Sequence, residues 1–191
     1  EHVSSLKPGD RVYELNRSKG IIAAVIGNEA IVNGISLVGA HIDSPRLDLK
    51  PNPLYEESGL AYFKTHYYGG IKKYQWTTIP LAIHGVAALQ DGTQIKIVIG
   101  EDKNDPVFCV SDLLPHLAQE QMGKKMSEAI TGESLNVILG NISCDNDAKE
   151  GIKLNILKVL NEKYDIKEED LLSSEIEVVP AFDARDLGLD R

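Results

Sequence analysis

Between residues 61 and 99 four short apolar runs follow one another, at 61–67, 73–78, 81–89 and 94–99, with Gly69-Gly70 and Asp91-Gly92 among the breaks. Runs of this length suit strands better than helices, which need about ten residues or more. Asp-Gly between two apolar runs is a strong hairpin signal, because both residues tolerate the positive φ that a tight turn demands. This stretch is therefore expected to fold as a β-rich unit.

Upstream, Arg11-Val12-Tyr13-Glu14-Leu15 alternates as a half-buried strand does, and Asn16-Arg17-Ser18-Lys19-Gly20 is a turn signal. Ile21 to Ile26 is a continuous apolar run, the pattern of a strand covered on both faces. Ile35-Ser36-Leu37-Val38-Gly39-Ala40 is a further expected strand, and it delivers His41 and Asp43 at its C-terminal end. In α/β sheets, ligands and catalytic groups gather beyond the carboxyl ends of strands. After Ser44-Pro45 the composition shifts. Leu47-Asp48-Leu49-Lys50-Pro51-Asn52-Pro53 has the prolines and polar residues of a domain crossing.

Downstream of the β-rich stretch, Ser111 is a good N-cap for a helix over residues 112–130, with Leu113, Leu114, Leu117, Met122, Met126 and Ile130 near helical spacing. Residues 150–164 form a second expected helix, with Ile152, Leu154, Ile156, Leu157, Val159 and Leu160 on its apolar side. Glu168-Glu169-Asp170 starts a short helical turn, and residues 175–179 are a last strand before Pro180. The expected class is α/β.

The net charge of −9 is spread along the chain, without a Lys/Arg stripe or interleaved aromatics. Nucleic-acid affinity depends mainly on clustered cations, so nucleic acid is not an expected partner. A bilayer partner is also not expected, since crossing one takes about 20 apolar residues in a row. Cys109 and Cys144 lie far apart with no CxxC spacing, as free thiols of a reducing compartment do, and the expected location is cytoplasmic. The chain opens on Glu1 rather than Met and ends abruptly at Arg191, and it is read as a piece of something longer.

A His-x-Asp pair at a strand end has a physical logic. Strand side chains alternate, so His41 and Asp43 would face the same way. A neutral imidazole is a good zinc ligand, and a carboxylate beside it fixes the tautomer or holds nearby solvent. The bland alternative is a surface turn with a local Asp–His hydrogen bond. A catalytic zinc ion wants about three protein ligands, so one histidine does not make a site.

The wider string is more specific. Leu37-Val38-Gly39-Ala40-His41-Ile42-Asp43-Ser44-Pro45 resembles the hallmark of the aspartyl aminopeptidase / vacuolar aminopeptidase I family of di-zinc exopeptidases. In that family an apolar strand ends in Gly-Ala-His-Thr-Asp-Ser-Pro, and here Ile42 stands where Thr is common. Thr65-His66-Tyr67-Tyr68-Gly69-Gly70, the run from Trp76 to Val86, and Leu114-Pro115-His116-Leu117-Ala118 resemble further segments of the same family in the same order. Together they span most of residues 36–120. Residues 130–174 carry no matching motif.

The resemblance implies a metallo-aminopeptidase acting on peptide substrates, with two zinc ions per complete subunit, or cobalt or manganese in their place. His41 would be a zinc ligand and Asp43 the carboxylate holding that site. His116, near a helix start, would touch substrate or a neighbouring subunit. The implied architecture is a di-zinc exopeptidase domain interrupted by a β-rich dimerisation domain with helices. Residues 1–46 would open the peptidase domain, 47–174 would be the insert, and 175–191 would return to the peptidase domain. The family builds homodimers into larger homo-oligomers. Its bridging Asp, Glu-Glu pair, further carboxylate and late His all follow the insert, so the chain alone is expected to be inactive. The rival expectation is a non-catalytic oligomerisation module with a vestigial His-x-Asp turn.

Overall fold

The computed structural model describes residues 5–17, 20–145 and 147–190. Ser18 and Lys19 of the expected turn lie outside them. The chain divides into two compact units, Glu1–Ile42 and Asp43–Arg191.

In the first unit β1 (Arg11–Asn16) and β2 (Gly20–Val25) pair antiparallel, from Arg11 opposite Val25 to Asn16 opposite Gly20. A single 3₁₀ turn follows at Ile31–Asn33. Two expectations are corrected here. The apolar run at 21–26 does form a strand, but Ile21, Ile22 and Val25 are exposed rather than covered on both faces. A two-stranded ribbon has no second layer with which to bury a face. The expected strand at 35–40 is absent among the described residues, and Leu37 and Val38 are 84% and 92% exposed. A strand is defined by its ladder, and no neighbouring strand pairs with this segment.

The second unit is built on a six-stranded sheet. Its strands are β3 (Arg46–Glu57), β4 (Leu60–Tyr68), β5 (Leu81–Ala88), β6 (Gln94–Ile99), β7 (Val137–Gly140) and β8 (Ser174–Pro180), in the order β6-β5-β8-β3-β4-β7. Every pairing is antiparallel. The β3–β4 hairpin turns on Ser58 and Gly59, whose φ values of 51° and 76° are those a two-residue type I′ loop requires. The Asp91-Gly92 hairpin between β5 and β6 forms as expected. Residues 108–110 bridge to Leu81 on one side and Ile138 on the other, so the sheet curls round and is tied near its open side.

The concave interior is the core. Alternate residues point into it: Ala61, Phe63 and Thr65 from β4, Ile176 and Val178 from β8, Ile97 and Ile99 from β6. Helix α3 (Gly151–Tyr164) packs on β3, β4 and β7. Its first backbone N–H groups, of Ile152 and Lys153, donate to the Glu56 carboxylate at 2.9 and 3.0 Å. An acidic group there satisfies donors that have no partner within the helix.

Several local expectations change in this unit. The domain-crossing segment is the first half of β3. Its two prolines sit where pairing with β4 is interrupted, between Leu49 and Leu54, and where pairing with β8 extends only over Leu47 and Asp48. A proline without an N–H is tolerated where no ladder bond is needed. The run at 73–78 is a 3₁₀ turn, Lys73–Gln75, followed by buried Trp76 and Thr77. The long helix at 112–130 is reduced to two single turns, α1 (Gln119–Met122) and α2 (Met126–Ala129). Pro115 and Gly123 interrupt the periodic run, and Leu113, Leu114, Leu117, Met122 and Met126 are exposed. On α3, Leu154 and Val159 face solvent rather than the core. Residues 174–180 lie in the middle of the sheet, between β5 and β8's other neighbour β3.

Among the described residues no helix is long and apolar enough to cross a membrane.

Candidate functional site

The division between the units falls inside the His-x-Asp motif: His41 closes the first unit with Ile42, and Asp43 opens the second. Both side chains are exposed. The Asp43 carboxylate is held by a neighbour, since the Tyr68 hydroxyl at the end of β4 donates to Asp43 Oδ2 at 3.0 Å.

Tyr68 is itself held. It stands directly opposite Arg46, the first residue of β3, in the β3–β4 register. The Arg46 guanidinium carbon lies 4.0 Å from the centre of the Tyr68 ring, a cation–π contact. The Nε of Arg46 bonds to Asp48 Oδ1 at 2.7 Å and lies 3.0 Å from Glu177 Oε1 on β8. Asp48 and Glu177 are direct cross-strand partners. Two carboxylates so placed repel each other, and the guanidinium between them removes the conflict. Burial works against the charge on Arg46, but the Asp48 bond and the charges of Asp48 and Glu177 outweigh it and raise its pKa above the ordinary value. Three strands of the sheet thus converge on one carboxylate in the motif.

His116 lies elsewhere. It follows Pro115 in a turn whose Leu117 N–H donates to Leu114 C=O at 2.8 Å. It is exposed and lines a groove of about 640 Å³ together with Asp112, Leu117, Gln121 and Ile130. The Asp112 carboxylate accepts from Gln121 Nε2 and the Leu113 N–H, both at 2.8 Å, and from Thr77 Oγ1 at 3.3 Å. Led by the Gln121 bond, and against some desolvation, these contacts hold the Asp112 carboxyl below the usual carboxylate range. The groove therefore has an anchored carboxylate and an imidazole in its lining.

His66 and His84 have structural partners. His66 stacks on Tyr67 with ring centres 5.3 Å apart, and His84 Nε2 lies 2.6 Å from Glu101 Oε1. Among the described residues there is no group of three or more His, Cys, Asp or Glu placed to hold a metal ion. The imidazole of His41 suits zinc, but a single donor is not a zinc site. The described residues do not by themselves build one.

Arg46 and Tyr68 were not singled out by sequence reasoning as site residues. Tyr68 sits in the Tyr67-Tyr68-Gly69-Gly70 run, where packing and contact roles look alike. The available signal was pairing: a cation one residue after Ser-Pro and a tyrosine one residue before Gly-Gly become neighbours once the hairpin register is set.

A sequence profile of the family described as aminopeptidase I zinc metalloprotease (M18) matches residues 1–191. A probable M18 family aminopeptidase 1 of Clostridium acetobutylicum is 60% identical over 188 residues, covering 98% of this chain and 40% of the relative. A crystal structure of an M18 family aminopeptidase from Thermotoga maritima is 53% identical, with a TM-score of 0.87, over 98% of this chain and 41% of that one. The crystal structure of aminopeptidase I from Clostridium acetobutylicum is 55% identical, with a TM-score of 0.85, over 97% of this chain and 41% of that one. The chain thus spans about 40% of the length of the curated relatives it matches.

Proposed function

The chain belongs to the M18 family of aminopeptidase I zinc metalloproteases, and on that premise we propose that the whole protein removes N-terminal residues from peptides at a two-zinc site. The observation that carries this reading is the match along the full chain, with His41-Ile42-Asp43-Ser44-Pro45 inside it. His41 is one zinc ligand and Asp43 is the carboxylate that steadies the site. The remaining donors come from outside these residues, and cobalt or manganese can stand in for zinc. His116 touches peptide substrate or a neighbouring subunit from its groove.

In this reading residues 1–46 open the peptidase domain, and the six-stranded unit that follows is an insert mediating homodimerisation within a larger homo-oligomer. The expected insert is 47–174 with the return over 175–191; the pairing of β8 on both sides within that sheet supports carrying the insert on through Pro180. The protein works in the cytoplasm, and this chain alone is inactive.

The test is His41→Ala in the full-length protein. It is expected to abolish peptide turnover and to lower bound zinc per subunit, measured by elemental analysis, while the oligomer persists. Retained turnover with a full zinc complement would remove His41 from the site. A full-length protein that binds no zinc and cleaves no peptide, yet still assembles, would make the second unit an assembly module instead.

A further inference from the structure

We infer that Tyr68 and Arg46 are positioning residues for the Asp43 carboxylate, so that the sheet of the second unit holds part of the site motif in place as well as forming its own core. The inference rests on the reading that Asp43 serves the peptidase site. Asp43 lies in a segment without a ladder of its own, and its exposed carboxylate would sample many orientations if left untethered. The Tyr68 hydroxyl removes that freedom with one bond at 3.0 Å. A tyrosine that is 39% exposed at a strand end needs something to fix its ring, and the guanidinium 4.0 Å from the ring centre does this. Arg46 in turn is fixed by Asp48 and Glu177, which belong to two different strands. The order of dependence runs from the sheet to Arg46, from Arg46 to the Tyr68 ring, and from the Tyr68 hydroxyl to Asp43.

Two features argue that this is more than surface decoration. Arg46 and Tyr68 are register partners, so the β3–β4 pairing itself sets the two residues side by side. The turn after Tyr68 also closes on the motif, because a Cβ built on Gly69 would lie 3.9 Å from Pro45 Cα. The Ser44-Pro45 exit from the motif and the Tyr68-Gly69 exit from β4 are therefore adjacent, and the tyrosine hydroxyl spans the short distance back to Asp43.

The experiment uses the full-length protein. Tyr68→Phe deletes only the hydroxyl, and Arg46→Lys keeps the charge but loses the planar group over the ring. Each is expected to lower kcat about tenfold while KM moves by less than about twofold, the pattern of a group that orders a site without binding substrate. The double variant should be no worse than about either single one, because both act through the same bond. The melting temperature should stay at the wild-type value, and Lys50→Ala, a control on β3 whose partner is Glu133, should leave kcat unchanged. Wild-type kcat in Tyr68→Phe, with His41→Ala inactive, would overturn this inference and leave the site assignment standing. Normal turnover in His41→Ala would overturn the site assignment and this inference with it. A loss in Tyr68→Phe that Lys50→Ala or a lowered melting temperature reproduces would mark fold maintenance alone and would also overturn it.

Discussion

Ile21, Ile22 and Val25 on β2 are chemically interchangeable with Ile83, Ile97 and Val178 in the six-stranded sheet, yet the first three are exposed and the last three are buried. Each buried apolar residue among the described ones comes from Leu47 onward. What separates the two regions is topology rather than composition. The second unit curls its sheet, ties the open side through residues 108–110 and packs α3 against the core, so each inward side chain meets others. The first unit offers a two-stranded ribbon and an extended segment, and nothing within it stacks on either face. Apolar patterning states what a segment would bury. Whether it does so depends on partners that the segment does not itself contain.

The sharpest way to break this comparison is to cut a large apolar side chain from each region. Phe63→Ala, in the interior of the curled sheet, is expected to cost about 3–5 kcal/mol in a urea titration of this chain. Ile22→Ala should stay within about 0.5 kcal/mol. Equal losses would mean that the ribbon is as well packed in solution as the sheet, and the contrast would collapse.

Gly85→Ala comes next. A Cβ there would lie 2.3 Å from the Glu175 carbonyl oxygen and 2.8 Å from Ile176 Cα, so β5 and β8 must move apart to admit it. The expected destabilisation is about 1–3 kcal/mol, by the same urea titration. The parallel change on β2, Gly20→Ala, meets only Asn16 Cβ at 3.9 Å and should be nearly neutral. A smaller effect is expected of Glu56→Ala, which deprives Ile152 and Lys153 of their acceptor at the start of α3. A loss of about 1–2 kcal/mol, with faster amide exchange confined to α3's first turn, would support a capping role.

The same distinction explains what the sequence disclosed. Strands β4, β5, β6 and β8 and helix α3 were legible, because each buries its own pattern within a unit that closes on itself. The Asp91-Gly92 hairpin was legible because its turn chemistry is local. Strand β3 was hidden by Pro51 and Pro53, and only the register shows that they fall in gaps of both ladders. The supposed strand at 35–40 failed for the opposite reason: its pattern is strong, but no ladder partner exists among the described residues. His41, Asp43 and His116 were proposed from residue type and motif. The Asp43–Tyr68–Arg46 chain was not, since it exists only once two strands are set side by side.

Residues 111–130 lie between these extremes and carry the smallest expected effect. They belong to the second unit, but like the ribbon they expose their leucines and methionines, and Asp112 ties the segment down through Gln121, Leu113 and Thr77. Because these bonds depress the folded-state pKa of Asp112 below its ordinary value of 3.8, the ionised carboxylate is the form that stabilises the segment. That contribution is fully present above the ordinary value, and it is lost as pH falls through the lower, folded-state value. The group is largely solvent-screened, so the loss should be less than about 1 kcal/mol. Acidification below that ordinary value should therefore speed amide exchange in the Asp112–Gln121 loop before it touches the β4 and β8 amides, and Asp112→Asn should remove this pH dependence. If the loop and the sheet loosened together, the segment would be held by the core rather than by its polar tether, and it would have to be grouped with the closed sheet.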